Sequence, residues 1–272
     1  METIAHYRIL ERTGENALGE IFRARDTKFG RTVALTVPGV SIQDDVVKRQ
    51  LLLADAKQAM TVSHPNVAAL YEAGEDGGRL YLAFEFVPGD TLDRVIAGHP
   101  LNVRRAIDLT SQIADALAEA HAAELSHGDV TARKVVITPK GNAKLLDFGF
   151  CRWTKESGGG GSEAGDIEAA GALFFEMLTG RAPSGASAVP SAVNKSLPTE
   201  VDALASKPHQ SAVGFAADLR SMAALLQTRA EAAERSRPTT VRGVPRRSKV
   251  PWIAAIGAML AAAAAAAWWW MR

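Results

Sequence analysis

With a single cysteine, Cys151, in 272 residues, the chain has no internal disulfide. No group of Cys and His has zinc-finger spacing either, so a disulfide scaffold and a structural metal site both drop out and a reducing compartment fits. Charge of one sign is equally scarce in excess: 31 Lys and Arg stand against 30 Asp and Glu. No global field then recruits nucleic acid or an anionic surface, and any electrostatic function must be local. The N-terminus, METIAHYRILERTG, lacks the continuous apolar run of a cleaved secretion signal. What is present is apolar residue, 47% of the chain, enough to bury one large core or two smaller ones.

The first third alternates like strands in YRIL, EIFRAR and RTVALTV, with turns between them, which predicts a small antiparallel sheet. An amphipathic helix is expected from about Asp45 to Val62, with Val47, Leu51, Ala54 and Gln58 at helical spacing, and RLYLAFEFV returns as a strand. After Leu92 the pattern turns helical: AIDLTSQIADALAEAHAAEL, DIEAAGALFFEMLTG and AADLRSMAALLQ read as helices, with short strands at KVVIT and AKLLDF. The expected fold class is α+β: a small sheet lobe carrying one helix, followed by a larger helical lobe.

The domain is expected over residues 7–228. Residues 229–249 are charged, carry two prolines and read as a juxtamembrane linker. From Val250 to Met271 no charge occurs, and a span of about 17 to 25 such residues suffices to cross a membrane as a helix. Arg242, Arg246, Arg247 and Lys249 precede this segment and only Arg272 follows, so the positive-inside rule places the domain in the cytosol. The expected location is the inner (plasma) membrane, single-pass.

Several motifs in order resemble those of bacterial serine/threonine protein kinases over about residues 7 to 228. Gly14-Glu15-Asn16-Ala17-Leu18-Gly19-Glu20-Ile21 resembles the glycine-rich loop over the nucleotide phosphates, with Asn16 at the family's middle glycine, where its side chain intrudes on the phosphate path. Val33-Ala34-Leu35-Thr36 is similar to the strand that carries the phosphate-gripping lysine, with Thr36 in the lysine's place. Counting back from His64-Pro65-Asn66, the glutamate that partners this lysine falls at Asp55. Leu82 to Gly89 is similar to the hinge, with Phe84 as gatekeeper and the backbone near Glu85 and Val87 facing adenine. The resemblance also implies Ala34, Ile21 and Val136 as its apolar walls. His127 to Lys134 resembles the catalytic loop: Asp129 keeps the position that accepts the substrate hydroxyl proton, Thr131 replaces the usual lysine, and Lys134 replaces the metal-binding asparagine. Asp147-Phe148-Gly149 matches the metal-binding triplet.

Between Asp147 and Asp166 the segment is short, has no Ala-Pro-Glu, and carries ESGGGGS, whose composition is that of a flexible linker. The resemblance implies ATP and magnesium as cofactors, and the substitutions imply that both bind weakly or not at all. Lys134 either contacts a phosphate or pairs with Asp147 and fills the metal site; the ion pair is favoured, because a cation beside Asp147 competes with magnesium. The leading expectation is a membrane-anchored cytosolic pseudokinase that binds another signalling protein, such as an active kinase. The alternative is a weakly active or atypical serine/threonine kinase using Asp129 and Asp147. A further role is recruitment of a phosphothreonine-binding protein through Thr239 or Thr240.

Overall fold

The computed structural model describes residues 2–154, 161–185, 188–206, 209–235 and 251–271. The chain divides into two compact units, 1–227 and 228–272. The first unit opens with strands β1 (Thr3–Ile4), β2 (Tyr7–Glu15), β3 (Gly19–Asp26) and β4 (Arg31–Pro38), then helices α1 (Val40–Gln43) and α2 (Val46–Ala59), then β5 (Leu70–Asp76) and β6 (Arg79–Glu85). These six strands form one antiparallel sheet in the order β1-β2-β3-β4-β6-β5. Strand β7 (Asp90–Thr91) and helices α3 (Leu92–Ile96) and α4 (Val103–Ala122) lead into β8 (Val135–Ile137) and β9 (Ala143–Leu145), which make a second, three-stranded sheet with β7. Helices α5 (Cys151–Thr154), α6 (Glu163–Thr179), α7 (Pro190–Val193), α8 (Asp202–Ser206) and α9 (Ala212–Arg235) complete the helical lobe.

Each lobe has its own core. The helical lobe is built on α4, whose Ala106, Ile107, Leu109, Ile113, Ala114, Leu117 and Ala120 are buried together against Phe174, Met177 and Leu178 of α6. Such i, i+3, i+4 recurrence presents one apolar stripe to the core. The helix starts where Asn102 caps it, accepting from Arg104 N at 2.9 Å, a contact that satisfies one of the otherwise unpaired first-turn donors. The sheet lobe holds two smaller clusters. One lies under α2 and contains Leu18, Leu52, Ala56, Leu82, Phe84 and Phe150; the other contains Tyr7, Val33, Leu35 and Tyr81.

The structure corrects three expectations. Helix α2 forms, capped by Asp45, but it buries Leu52, Ala56 and Ala59, whereas Val47, Leu51, Ala54 and Gln58 lie on its exposed side. Apolar residues occupy both sides of this helix, so spacing alone selected the wrong one. Strand β5, LYEAGED, was absent from the sequence-based expectation because its mixed composition hides the period. Helix α9 runs to Arg235, into the expected linker, since Arg229–Arg235 consists of Ala, Glu and Arg, all good helix formers bar none of the strong breakers.

In the second unit, α10 (Pro251–Trp270) forms where a membrane span was expected. The side chains of 251–256, and residues 236–250 with Thr239 and Thr240, lie outside the described residues. Among the described residues no helix is long and apolar enough to cross a membrane, so the spanning assignment rests on the sequence.

The orientation of α2 is checked by chemical denaturation. Leu52→Ala empties a fully buried site and is expected to cost about 2–5 kcal/mol, while Val47→Ala on the exposed side is expected to change stability by less than about 0.5 kcal/mol.

Candidate functional site

Between β2 and β3 the glycine-rich turn closes on itself. Asn16 N donates to Gly19 O at 2.9 Å and Gly19 N to Asn16 O at 3.1 Å. The Asn16 carboxamide oxygen also accepts from Leu18 N at 3.0 Å and Gly19 N at 3.1 Å. The side chain thus engages the loop amides that would have met phosphate, a more specific obstruction than bulk. Gly19, at φ +157, packs so close to β4 that a Cβ there would meet Val37 O at 2.0 Å, whereas a Cβ on Gly14 would meet nothing within 4 Å. Leu18, at the turn's tip, is buried in the cluster under α2.

Strand pairing brings part of the expected nucleotide wall together. Ile21 faces Thr36 across β3–β4, and Ala34 faces Phe84 across β4–β6. Thr36 is buried at 4% exposure, an uncharged group at the position read as that of the family's phosphate-gripping lysine. Val136 is buried on β8, and Glu85 and Val87 are half-buried at the hinge. The Glu85 carboxylate pairs with Lys144 and accepts from Ala69 N at 3.3 Å.

Asp55 does not turn toward Thr36. Its Oδ2 accepts from Trp153 Nε1 at 2.8 Å and lies 3.7 Å from Arg152 Nη1. Both partners sit on α5, the turn of helix directly after Asp147-Phe148-Gly149-Phe150. Phe150 is fully buried and meets Phe84 edge to face, with ring centroids 5.4 Å apart. The segment is therefore fastened to the sheet lobe by one charge-assisted hydrogen bond and one aromatic pair.

The catalytic-loop residues are held by a carboxylate whose role the sequence reading missed. Asp166, 1% exposed on α6, accepts from Gly128 N and His127 N, each at 2.7 Å, and contacts His121 Nε2 at 2.9 Å. His127 accepts from Asp129 N through Nδ1 at 3.1 Å and reaches Leu146 O with Nε2 at 2.9 Å. Its ring packs edge to face on Phe148. Burial holds its pKa below the ordinary histidine value; protonating Nδ1 would also set it against the Asp129 N–H. Asp129 is half-buried, and among the described residues its carboxylate has no hydrogen-bond partner.

Lys134 and Asp147 are in direct contact, ammonium to carboxylate. Asp147 sits at φ 57, a left-handed conformation costly for a non-glycine residue. Magnesium, which the resemblance implies, does not fit these residues: a cation stands where its second ligand should be. Among the described residues, no group of three His, Cys, Asp or Glu side chains can hold a metal ion.

Of the linker-like ESGGGGS, Glu156 to Gly160 lie outside the described residues, and the last two depart from the expectation of a free linker. Ser162 caps α6, accepting from Gly165 N at 3.1 Å. A Cβ on Gly161 would meet Gly128 Cα at 2.5 Å, and one on Gly128 would meet Cys151 Sγ at 2.7 Å. The segment thus returns in backbone contact with the catalytic loop.

Residues 7–159 match the family model described as the protein kinase domain. The chain is 30% identical over 206 residues to the serine/threonine-protein kinase PrkC of Bacillus subtilis, covering 67% of this chain and 32% of that protein. It is 28% identical over 205 residues to the serine/threonine-protein kinase PknA of Mycobacterium tuberculosis, covering 65% and 47%. It thus spans from a third to just under half the length of these two relatives. The crystal structure of the Mycobacterium tuberculosis PknI kinase domain superposes with a TM-score of 0.68 at 23% identity, covering 82% of this chain and 98% of that one, a likeness of fold.

Two measurements check the site. Since His127 is held neutral when folded, the unfolded chain binds more protons below the ordinary histidine pKa of about 6.5. Stability is therefore full above that pH and falls as the pH drops below it, by at most about 1.4 kcal/mol per pH unit, and His127→Gln is expected to flatten the slope. Trp153→Phe removes the hydrogen bond to the partly exposed Asp55 and is expected to cost about 1 kcal/mol, with faster tryptic cleavage at Arg152 as the second readout.

Proposed function

The chain belongs to the protein kinase family, and from that premise we propose that it acts as a signalling module of kinase fold, binding a partner protein rather than transferring phosphate. The observation that carries this is the pair of substitutions facing the cleft: Thr36 stands in place of the phosphate cation, and Asp55 is bonded to Trp153 instead of to any lysine. In a kinase the strand lysine grips the phosphates and is held by its ion pair with the helix glutamate. Here the helix carboxylate couples instead to the segment after Asp147. Loss of even one charge-assisted phosphate contact, worth about 1.5–3 kcal/mol, weakens nucleotide binding about tenfold to a hundredfold.

The proposed partner is another signalling protein, such as an active kinase or a phosphothreonine-binding protein. The uncharged stretch Val250–Met271 behind a basic cluster supports a tether at the inner membrane with the domain in the cytosol.

A second reading, a weakly active serine/threonine kinase, is favoured by the placement of Asp129. Its backbone is anchored to His127, and the family relatives carry serine/threonine kinase names. The full chain, incubated with radiolabelled ATP, magnesium or manganese and mixed protein substrates, is expected to incorporate no more phosphate than Asp129→Asn does. Incorporation that disappears in Asp129→Asn would establish the second reading.

A further inference from the structure

In the contact between Lys134 and Asp147, the ammonium occupies one face of the carboxylate that the family fold offers to a metal. Both side chains are largely withdrawn from solvent, at 16% and 24% exposure, so the pair is screened less than a surface ion pair. Leu146 N donates to Lys134 O at 2.8 Å, which ties the backbones of the two segments together and keeps the charges in register. A lysine ammonium has three donors, and among the described residues the Asp147 carboxylate is their one partner.

This ammonium stands beside Asp147, at the position where the family carries its second metal ligand. Thr36 supplies no charge. The amides of Leu18 and Gly19 are engaged by the Asn16 carboxamide. At the hinge, the N–H of half-buried Val87 has no partner among the described residues, which leaves a donor for the edge of a base.

We infer that the Lys134 ammonium replaces the metal ion at Asp147, and that the cleft takes adenine nucleotides as free anions rather than as magnesium complexes. A nucleotide arriving with its divalent cation would place two like-signed charges on one carboxylate, whereas the uncomplexed anion can accept from the ammonium donors that Asp147 leaves unengaged, on a lysine already held in place. No bond is made or broken: the ligand binds and leaves unchanged. This inference rests on the reading of the cleft as one that does not transfer phosphate. It is tested through the metal dependence of binding, whereas that reading is tested through phosphate incorporation.

The experiment uses the full chain with ADP as the probe, following melting temperature and calorimetric affinity in excess EDTA and then in excess magnesium chloride. ADP is expected to raise the melting temperature in EDTA, and magnesium to leave its affinity unchanged within about threefold or to weaken it. Lys134→Asn is expected to lose about tenfold or more of the affinity in EDTA. The same variant is expected to gain manganese binding in the presence of ADP, seen as enhanced water-proton relaxation that the wild type lacks. Absence of any ADP response in EDTA overturns the inference. So does a wild-type affinity that magnesium raises tenfold or more and that Asp147→Asn abolishes. The wild-type comparison stands even if a variant fails to fold.

Discussion

The helical lobe and the cleft meet at one buried carboxylate, Asp166. A side-chain carboxyl group at 1% exposure is tolerable only when its oxygens have hydrogen-bond partners, and here the partners are the backbone amides of His127 and Gly128 and the ring of His121. Those partners come from the end of α4 and the loop that follows it. The acceptor is on α6, so the packing of α4 against α6 and the shape of the catalytic loop are set together. His127 passes the constraint on: one ring nitrogen fixes the Asp129 amide, the other reaches Leu146, and the ring face takes Phe148. His127 and Phe148 therefore help to hold the lobe in shape, whereas Asp129 is used there only through its backbone N–H.

On the other side of the cleft the charges have been redistributed rather than deleted. Thr36 removes a cation from the sheet lobe, and Lys134 adds one to the helical lobe, beside Asp147. Asp55, left without a lysine, would be a carboxylate at 17% exposure with nothing to offset its desolvation. Trp153 Nε1 and Arg152 supply that offset. Lys134, and Trp153 with Arg152, thus each join the segment around Asp147 to a neighbouring element.

Much of this was legible in the residues. The motifs gave the order of the elements, both lobes and the positions of Asp129, Lys134 and Asp147, because each is tied to a short stretch whose spacing is fixed by a turn. What the sequence hid were choices between equivalent faces and partners. Helix α2 carries apolar residues on both sides, and only the sheet beneath it selects Leu52, Ala56 and Ala59. The capture of the Leu18 and Gly19 amides by Asn16 depends on a side-chain rotation, and the meeting of Trp153 with Asp55 joins residues far apart in the chain. Asp166 was read only as a landmark at a helix start, since nothing local to DIEAAG shows that its carboxylate faces another loop.

The returning end of the segment after Phe150 is shaped by two glycines. Gly128 is at φ +75, and both it and Gly161 sit where a Cβ would collide with the opposing backbone or with Cys151. Two glycines facing each other allow the returning chain to lie directly on the catalytic loop. Any larger residue at either place would hold the two backbones apart. The exposed apolar side of α2, with Val47 at 72% and Leu51 at 38% exposure, belongs to the same helix as the carboxylate of Asp55, which this segment meets through Trp153.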